Sequence, residues 1–376
     1  MKVGFPYMGD LQVPLAAIMS KLGAEVVKPP RLDARVLAVG AQLSPEGMCI
    51  PFKATLGVMA RNLELGADTL AYSSGYWSCR FGYYGLLQSA ILRDLGYSFH
   101  RFELHGARLP QLVHEVVALS DGNYARMAVR AVRAIRLGWN KSAAVDRVAA
   151  RERWMRPRMV RPCLVGAIVD RLRRDIVDAG SVRAVCVLGA RADRELAAIT
   201  VEDSRQPLRI RLVGESYCVL EPFINFDVVR RLGDLGVEVH PFETAHEWLG
   251  FHTPRLGRGH VRRLEQASAP WWRMCLGGED QSALGWLAIS AREGFDGVVH
   301  LHPFACMPST SVLPSLERAS AELGIPLLSL ALDEQTSEEG MVTRLEAFVS
   351  LLERRRRTRR ATARPGRAAQ PSAVGR

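Results

Sequence analysis

Two periodicities of apolar residues alternate along most of this chain. Short runs with strand character at 2–8 (KVGFPYM), 24–28 (AEVVK), 68–74 (DTLAYSS) and 97–103 interleave with helical spacing at 12–22, 54–65 and 83–95. A β-α-β opening that then repeats predicts a doubly wound parallel sheet over 1–109, because each crossover helix returns the chain to a parallel neighbour. From 110 to 180 the spacing stays helical with few strand signals, which predicts a helical insert. Strand signals resume at 183–188 (RAVCVL), 208–214, 237–241, 297–304 and 326–332. Helical segments at 225–235, 281–293, 312–323 and 341–353 separate them and complete a second α/β lobe over 181–353.

Charge changes the picture only at the end. The 376 residues carry a net charge of +11, yet 354–376 alone hold nine Arg and no acid, so subtracting nine leaves +2 for the remainder. With almost nothing apolar to bury, 354–376 reads as a disordered basic tail, a solvated extension with incidental polyanion affinity rather than a segment with a specific RNA or membrane role. Only five of the fifty basic residues are Lys, which points to genomic base composition. A second basic stretch lies between Tyr124 and Arg161, with Arg126, Arg130 and Arg133 on one helical face. That face is either solvated or a surface for phosphate or an acidic partner.

An apolar content of 48% and a charged content of 24% exclude a wholly disordered or fibrous chain. No run approaches the roughly 18 apolar residues of a membrane span. The opening MKVGFPYMGD lacks an apolar h-region, so a cytoplasmic home is expected. Seven cysteines in a reducing compartment read as thiols or metal ligands, and an odd number cannot all pair.

In open parallel sheets, ligands bind beyond the carboxyl ends of strands. Cys79 follows the strand at 68–74, Cys306 follows that at 297–304, and Cys49 precedes a helix in the loop SPEGMCIPFK. Gly and Pro punctuate each loop, and a helix N-terminus behind each thiol favours thiolate. Three thiolates suit a soft ion such as iron or zinc. Cys218 also follows a strand and is a further candidate. Cys186 reads as an inert thiol within a strand, and Cys163 and Cys275 give no pattern. Glu215 is a helix cap or an acid/base group, and Arg80 a donor to a bound anion or a structural ion-pair partner. His300 and His302 share a strand face as packed histidines, while Asp333, Glu334 and Arg344 read as an ion network.

The stretches 45-PEGMCIPFK-53, 75-GYWSCRFGYYGLLQ-88, 213-VGESYCVLEPFIN-225, 292-REGFDGVVHLHPFACMP-308 and 325-IPLLSLALDEQTSEEGMVTRLEAF-348 resemble the D-component family of 2-hydroxyglutaryl-CoA dehydratase and its CoA-enzyme-activase-related relatives. The resemblance spans almost the whole body. It implies two flavodoxin-like (Rossmann-like) lobes holding a [4Fe–4S] cluster on Cys49, Cys79 and Cys306, with one iron open to a small ligand. It implies low-potential radical dehydration of an acyl-CoA, an ATP-dependent activase as electron donor and a second dehydratase-like subunit. The chain has no GxxxxGK[ST] loop and no GxGxxG loop after its first strand, so the activase is expected to be a separate protein. The other reading the residues leave open is a non-catalytic electron carrier or cluster scaffold.

Overall fold

A computed structural model describes residues 1–28, 31–72, 79–103, 124–202, 204–251 and 258–363. Two four-stranded sheets, all parallel, organise it. The first contains β1 (Lys2–Gly4), β2 (Glu25–Val26), β3 (Thr69–Tyr72) and β4 (His100–Glu103) in the order β2-β1-β3-β4. The second contains β5 (Leu208–Gly214), β6 (Val237–Pro241), β7 (Gly297–Pro303) and β8 (Leu327–Leu332) in the order β6-β5-β7-β8. The two α/β lobes thus repeat one strand order. In each, the winding reverses between the first and third strands, and a crevice opens at their carboxyl ends.

Helices α1 (Gln12–Leu22), α2 (Ala34–Leu43), α3 (Ile50–Glu64) and α4 (Tyr84–Asp94) belong to the first lobe. α3 serves both lobes. Its residues Ile50, Ala54 and Val58 enter the second lobe's core, whereas Phe52, Leu56, Met59 and Leu63 pack into the first. A helix buried on both faces shows no single apolar stripe, because neither side meets water. Glycines let α2 press against it: a Cβ on Gly57 would meet the Val36 carbonyl oxygen at 2.1 Å, and one on Gly40 would meet that of Lys53 at 1.8 Å.

The insert differs from the sequence expectation at its end. Residues 183–188 are not a strand but part of a helix, Val182–Ala197, capped by the Ser181 hydroxyl, which accepts from the Ala184 N–H at 3.2 Å. Its buried positions Val185, Gly189, Ala192 and Leu196 follow helical spacing, and Cys186 is consequently exposed rather than a core thiol. With Tyr124–Met155 and Cys163–Asp178 it forms a helical layer packed on α1 through Val13 and Ala17. The expected lobe boundary at 109–110 lies outside the described residues.

The C-terminal helix also departs from expectation. It runs Glu338–Ala363, starting before 341 and continuing through the arginines expected to be disordered. Met341, Leu345, Phe348, Val349 and Leu352 anchor it in the core. Beyond Leu352, Arg and Ala favour helix, and the sequence offers no Gly or Pro until Pro365. Residues 364–376 of the tail lie outside the described residues. Among the described residues, no helix is long and apolar enough to cross a membrane.

Candidate functional site

Cys49, Cys79 and Cys306 each occupy an N-cap. Cys49 caps α3, with Pro51 in its first turn; Cys79 caps the 3₁₀ turn Arg80–Tyr83; Cys306 caps the helix Met307–Leu323, with Pro308 in its first turn. Each therefore sits where unpaired backbone N–H groups face outward and stabilise negative charge. Cys306 follows the carboxyl end of β7, and Cys79 follows β3 through residues 73–78, which lie outside the described residues. Those are the strands flanking the two reversal points.

Arg80 connects all three loops. It adjoins Cys79 in sequence, and its guanidinium donates to the Gly47 carbonyl at 3.1 Å and the Ala305 carbonyl at 2.8 Å. Gly47 lies two residues before Cys49, and Ala305 lies directly before Cys306. Ala305 adopts a left-handed φ of 60°, a conformation costly for a residue with a side chain. Arg80 holds the carbonyl that this conformation presents. Its guanidinium ties backbone to backbone across the lobes.

The thiols are largely enclosed: Cys49 and Cys306 are buried, and Cys79 is half-buried. Burial pushes the Cys306 thiol up to about 12 and raises those of Cys49 and Cys79. The thiolate-favouring effect expected of the helix N-termini is therefore outweighed by loss of water. A bound cation reverses that balance, since metals take thiolate. Cys49 shares a hydrogen bond with the Tyr84 hydroxyl, and the Cys306 thiol donates to Ser309 Oγ at 3.3 Å.

Glu215 caps the short helix Ser216–Leu220, its carboxylate accepting from the Cys218 N–H at 2.9 Å. The capping expectation holds. Half-buried, its carboxyl is raised by loss of solvent, and its charge in turn raises Cys49, Cys79 and Cys306. Cys218 is buried in the second lobe's core; burial and then the Glu215 charge push its thiol well up. These side chains form one electrostatic neighbourhood, in which Cys218 stands beside Glu215.

Several residues here escaped the sequence reading. The Ser216 hydroxyl bridges Glu243 and Glu279, the latter at 3.0 Å. Burial raises Glu279 to about 7 and, with the Glu279 charge adding to it, Glu243 well above the usual carboxylate range. Gly278, in the left-handed region at φ 57°, brings the Glu279 loop against the site, where a Cβ would lie 3.2 Å from Pro308 and 3.9 Å from the Cys79 Cβ. Glu243 follows the carboxyl end of β6, so the strand-end rule that selected the cysteines reaches it too.

Other candidates fall elsewhere. Cys275 is exposed, with its thiol 3.6 Å from Asp280 Oδ1. His300 and His302 are buried and stacked on β7, with His300 lowered to about 3 by burial. Glu334 pairs with Lys53 of α3, whereas Asp333 closes a turn by accepting from the Gln335 N–H at 3.0 Å and the Thr336 hydroxyl at 2.8 Å.

The donor chemistry fits an iron–sulfur group: two buried thiols and one half-buried, each beside helix N–H groups that offset the charge of a sulfide core. Among the described residues, no three His, Cys, Asp or Glu side chains gather tightly enough to hold one metal ion. No protein-family model matches the chain, and no curated protein matches it.

Proposed function

We propose that this protein is an iron–sulfur subunit of the 2-hydroxyacyl-CoA dehydratase kind, working in the cytoplasm and carrying a [4Fe–4S] cluster between its lobes. The observation that carries the reading is the set of three N-cap cysteines, borne on separate loops that one arginine ties together. Bound there, such a cluster supplies low-potential one-electron chemistry, which in the resembled family removes the hydroxyl of a 2-hydroxyacyl-CoA. The electron comes from an ATP-dependent activase, and a second dehydratase-like subunit completes the assembly.

The chain's own residues have definable tasks in this scheme. Cys49, Cys79 and Cys306 are the ligands, and Arg80 sets the spacing of their loops. Phe52 and Tyr84 wall the Cys49 side against water; their rings meet edge to face at 4.9 Å. Glu215 holds the start of its helix by accepting from the Cys218 N–H, and Cys218 beside it is a further thiol available to the site.

Anaerobic purification followed by reconstitution tests this. Brown protein with about four irons per chain is expected, and Cys79→Ser or Cys306→Ser should lower that content at least twofold. Colourless, iron-free protein after reconstitution rejects the reading. Calorimetry with CoA esters then separates the two roles, since a loaded protein that binds none is an electron carrier rather than a dehydratase component.

A further inference from the structure

The arginine run stands apart from the thiol site in both position and chemistry. Thiols occupy the carboxyl ends of the parallel strands. The arginines lie at the opposite pole: Arg355 and Arg359 donate to the Gly324 carbonyl at 3.1 and 3.5 Å, Arg356 to the Gln206 carbonyl at 2.9 Å, and Arg360 to Gln206 Oε1 at 3.1 Å. Gly324 and Gln206 precede the amino ends of β8 and β5. These acceptors are neutral, so they fix the helix on the body without cancelling its charge. Of six arginines in 354–363, only Arg357 faces a carboxylate among the described residues, Glu353 at 3.7 Å. The Arg354 guanidinium has no partner among the described residues, and with Arg355 and Arg359 it lines a shallow hollow of about 330 Å³.

We propose that this end of the helix Glu338–Ala363 is a docking arm for the phosphate backbone of duplex nucleic acid. Two alternatives fit less well. An interfacial membrane helix needs a broad apolar face, and beyond Leu352 this one offers nothing larger than Ala. A protein interface draws its affinity from buried aromatic or aliphatic anchors, which are equally missing from the run. What remains is a rigid row of guanidinium forks, the group suited to bidentate phosphate contact. Docking there leaves the opposite pole open.

The test is fluorescence anisotropy of the full chain with a labelled 20-base-pair duplex across a salt series. Six arginine contacts give a slope of log affinity against log salt of about −5, with micromolar-range binding persisting at 0.15 M salt. Changing Arg354, Arg357, Arg359 and Arg360 to Gln spares the ties made by Arg355 and Arg356, lowers the slope by about four and costs at least about tenfold in affinity. A chain ended after Ala363 keeps its affinity within about threefold, because the helix carries the contacts. Equal binding by the quadruple variant, or loss of all binding in the chain ended after Ala363, overturns the proposal. So does binding of anionic phosphatidylserine vesicles or poly-glutamate as tightly as the duplex.

Discussion

The two lobes share a strand order but not a build. Among the described residues, the strands of the first span two to four residues and those of the second five to seven, with every residue of β7 buried. The largest apolar core belongs to the second lobe and takes in Ile50, Ala54 and Val58 of α3, a helix that also roofs the first sheet. The first lobe therefore leans on the second. Cys49, at the head of α3, is held from both sides, while Cys79 rests on the shorter sheet. One topology used twice gives a rigid half and a dependent half, and the candidate site straddles them.

Truncating a central strand in each lobe breaks this comparison most directly. Leu301 of β7 and Leu70 of β3 are both fully buried. Leu301→Ala should cost about 3 to 5 kcal/mol and lower the urea midpoint of the whole chain. Leu70→Ala should cost about 2 to 3 kcal/mol and loosen hydrogen exchange only in the first lobe, since the second core does not use it. Loss of protection in β7 on Leu70→Ala would show that the dependence runs the other way.

How much of this asymmetry could be read in advance depended on local pattern. α1 and the strands β5 and β6 appear in the sequence with their observed limits, because each keeps one apolar period along its length and is bounded by turn residues. Residues 183–188 misled, since six residues cannot separate period two from period 3.6; the helical set Val185, Gly189, Ala192 and Leu196 emerges only over a longer window. The strand-end rule located Cys79, Cys306 and Glu215. It could not reveal that Ser216 joins Glu243 and Glu279, partners 27 and 63 residues away, or that Tyr84 closes over Cys49. Those roles are set by tertiary contact.

A smaller effect comes from pH, through the seam between the lobes. Glu221, in the second lobe, accepts from the Gly9 N–H at 2.7 Å, where the loop after β1 comes so close that a Cβ on Gly9 would meet the Leu220 carbonyl oxygen at 2.0 Å. Burial raises the Glu221 carboxyl to about 7 from an ordinary value of 4.5. The folded chain then binds a proton that the unfolded chain releases between those values. Stability contributed by this group is accordingly present below about pH 4.5 and falls as pH rises to about 7, by up to about 3 kcal/mol. Glu221→Gln, which keeps an acceptor without a charge, should flatten that part of the profile in urea titrations at pH 5 and pH 8. An unchanged slope would place the pH sensitivity elsewhere.

The smallest expected change in stability, yet the sharpest test of the seam, is at Arg80. Its two backbone hydrogen bonds join the Cys49 loop of one lobe to the Cys306 loop of the other. The side chain is exposed, so Arg80→Ala should cost only about 1 to 2 kcal/mol overall. The thiols should respond far more than the fold. With the Ala305 carbonyl released, the left-handed backbone before Cys306 loses its hold, and alkylation of Cys306 and Cys49 should accelerate severalfold while Cys218, enclosed in the second core, stays protected. Arg80→Lys should not restore the slow rate, because a single ammonium cannot reproduce a fork that spans two carbonyls. If Arg80→Ala leaves both alkylation rates unchanged, the lobes hold the thiol loops in place through α3 alone.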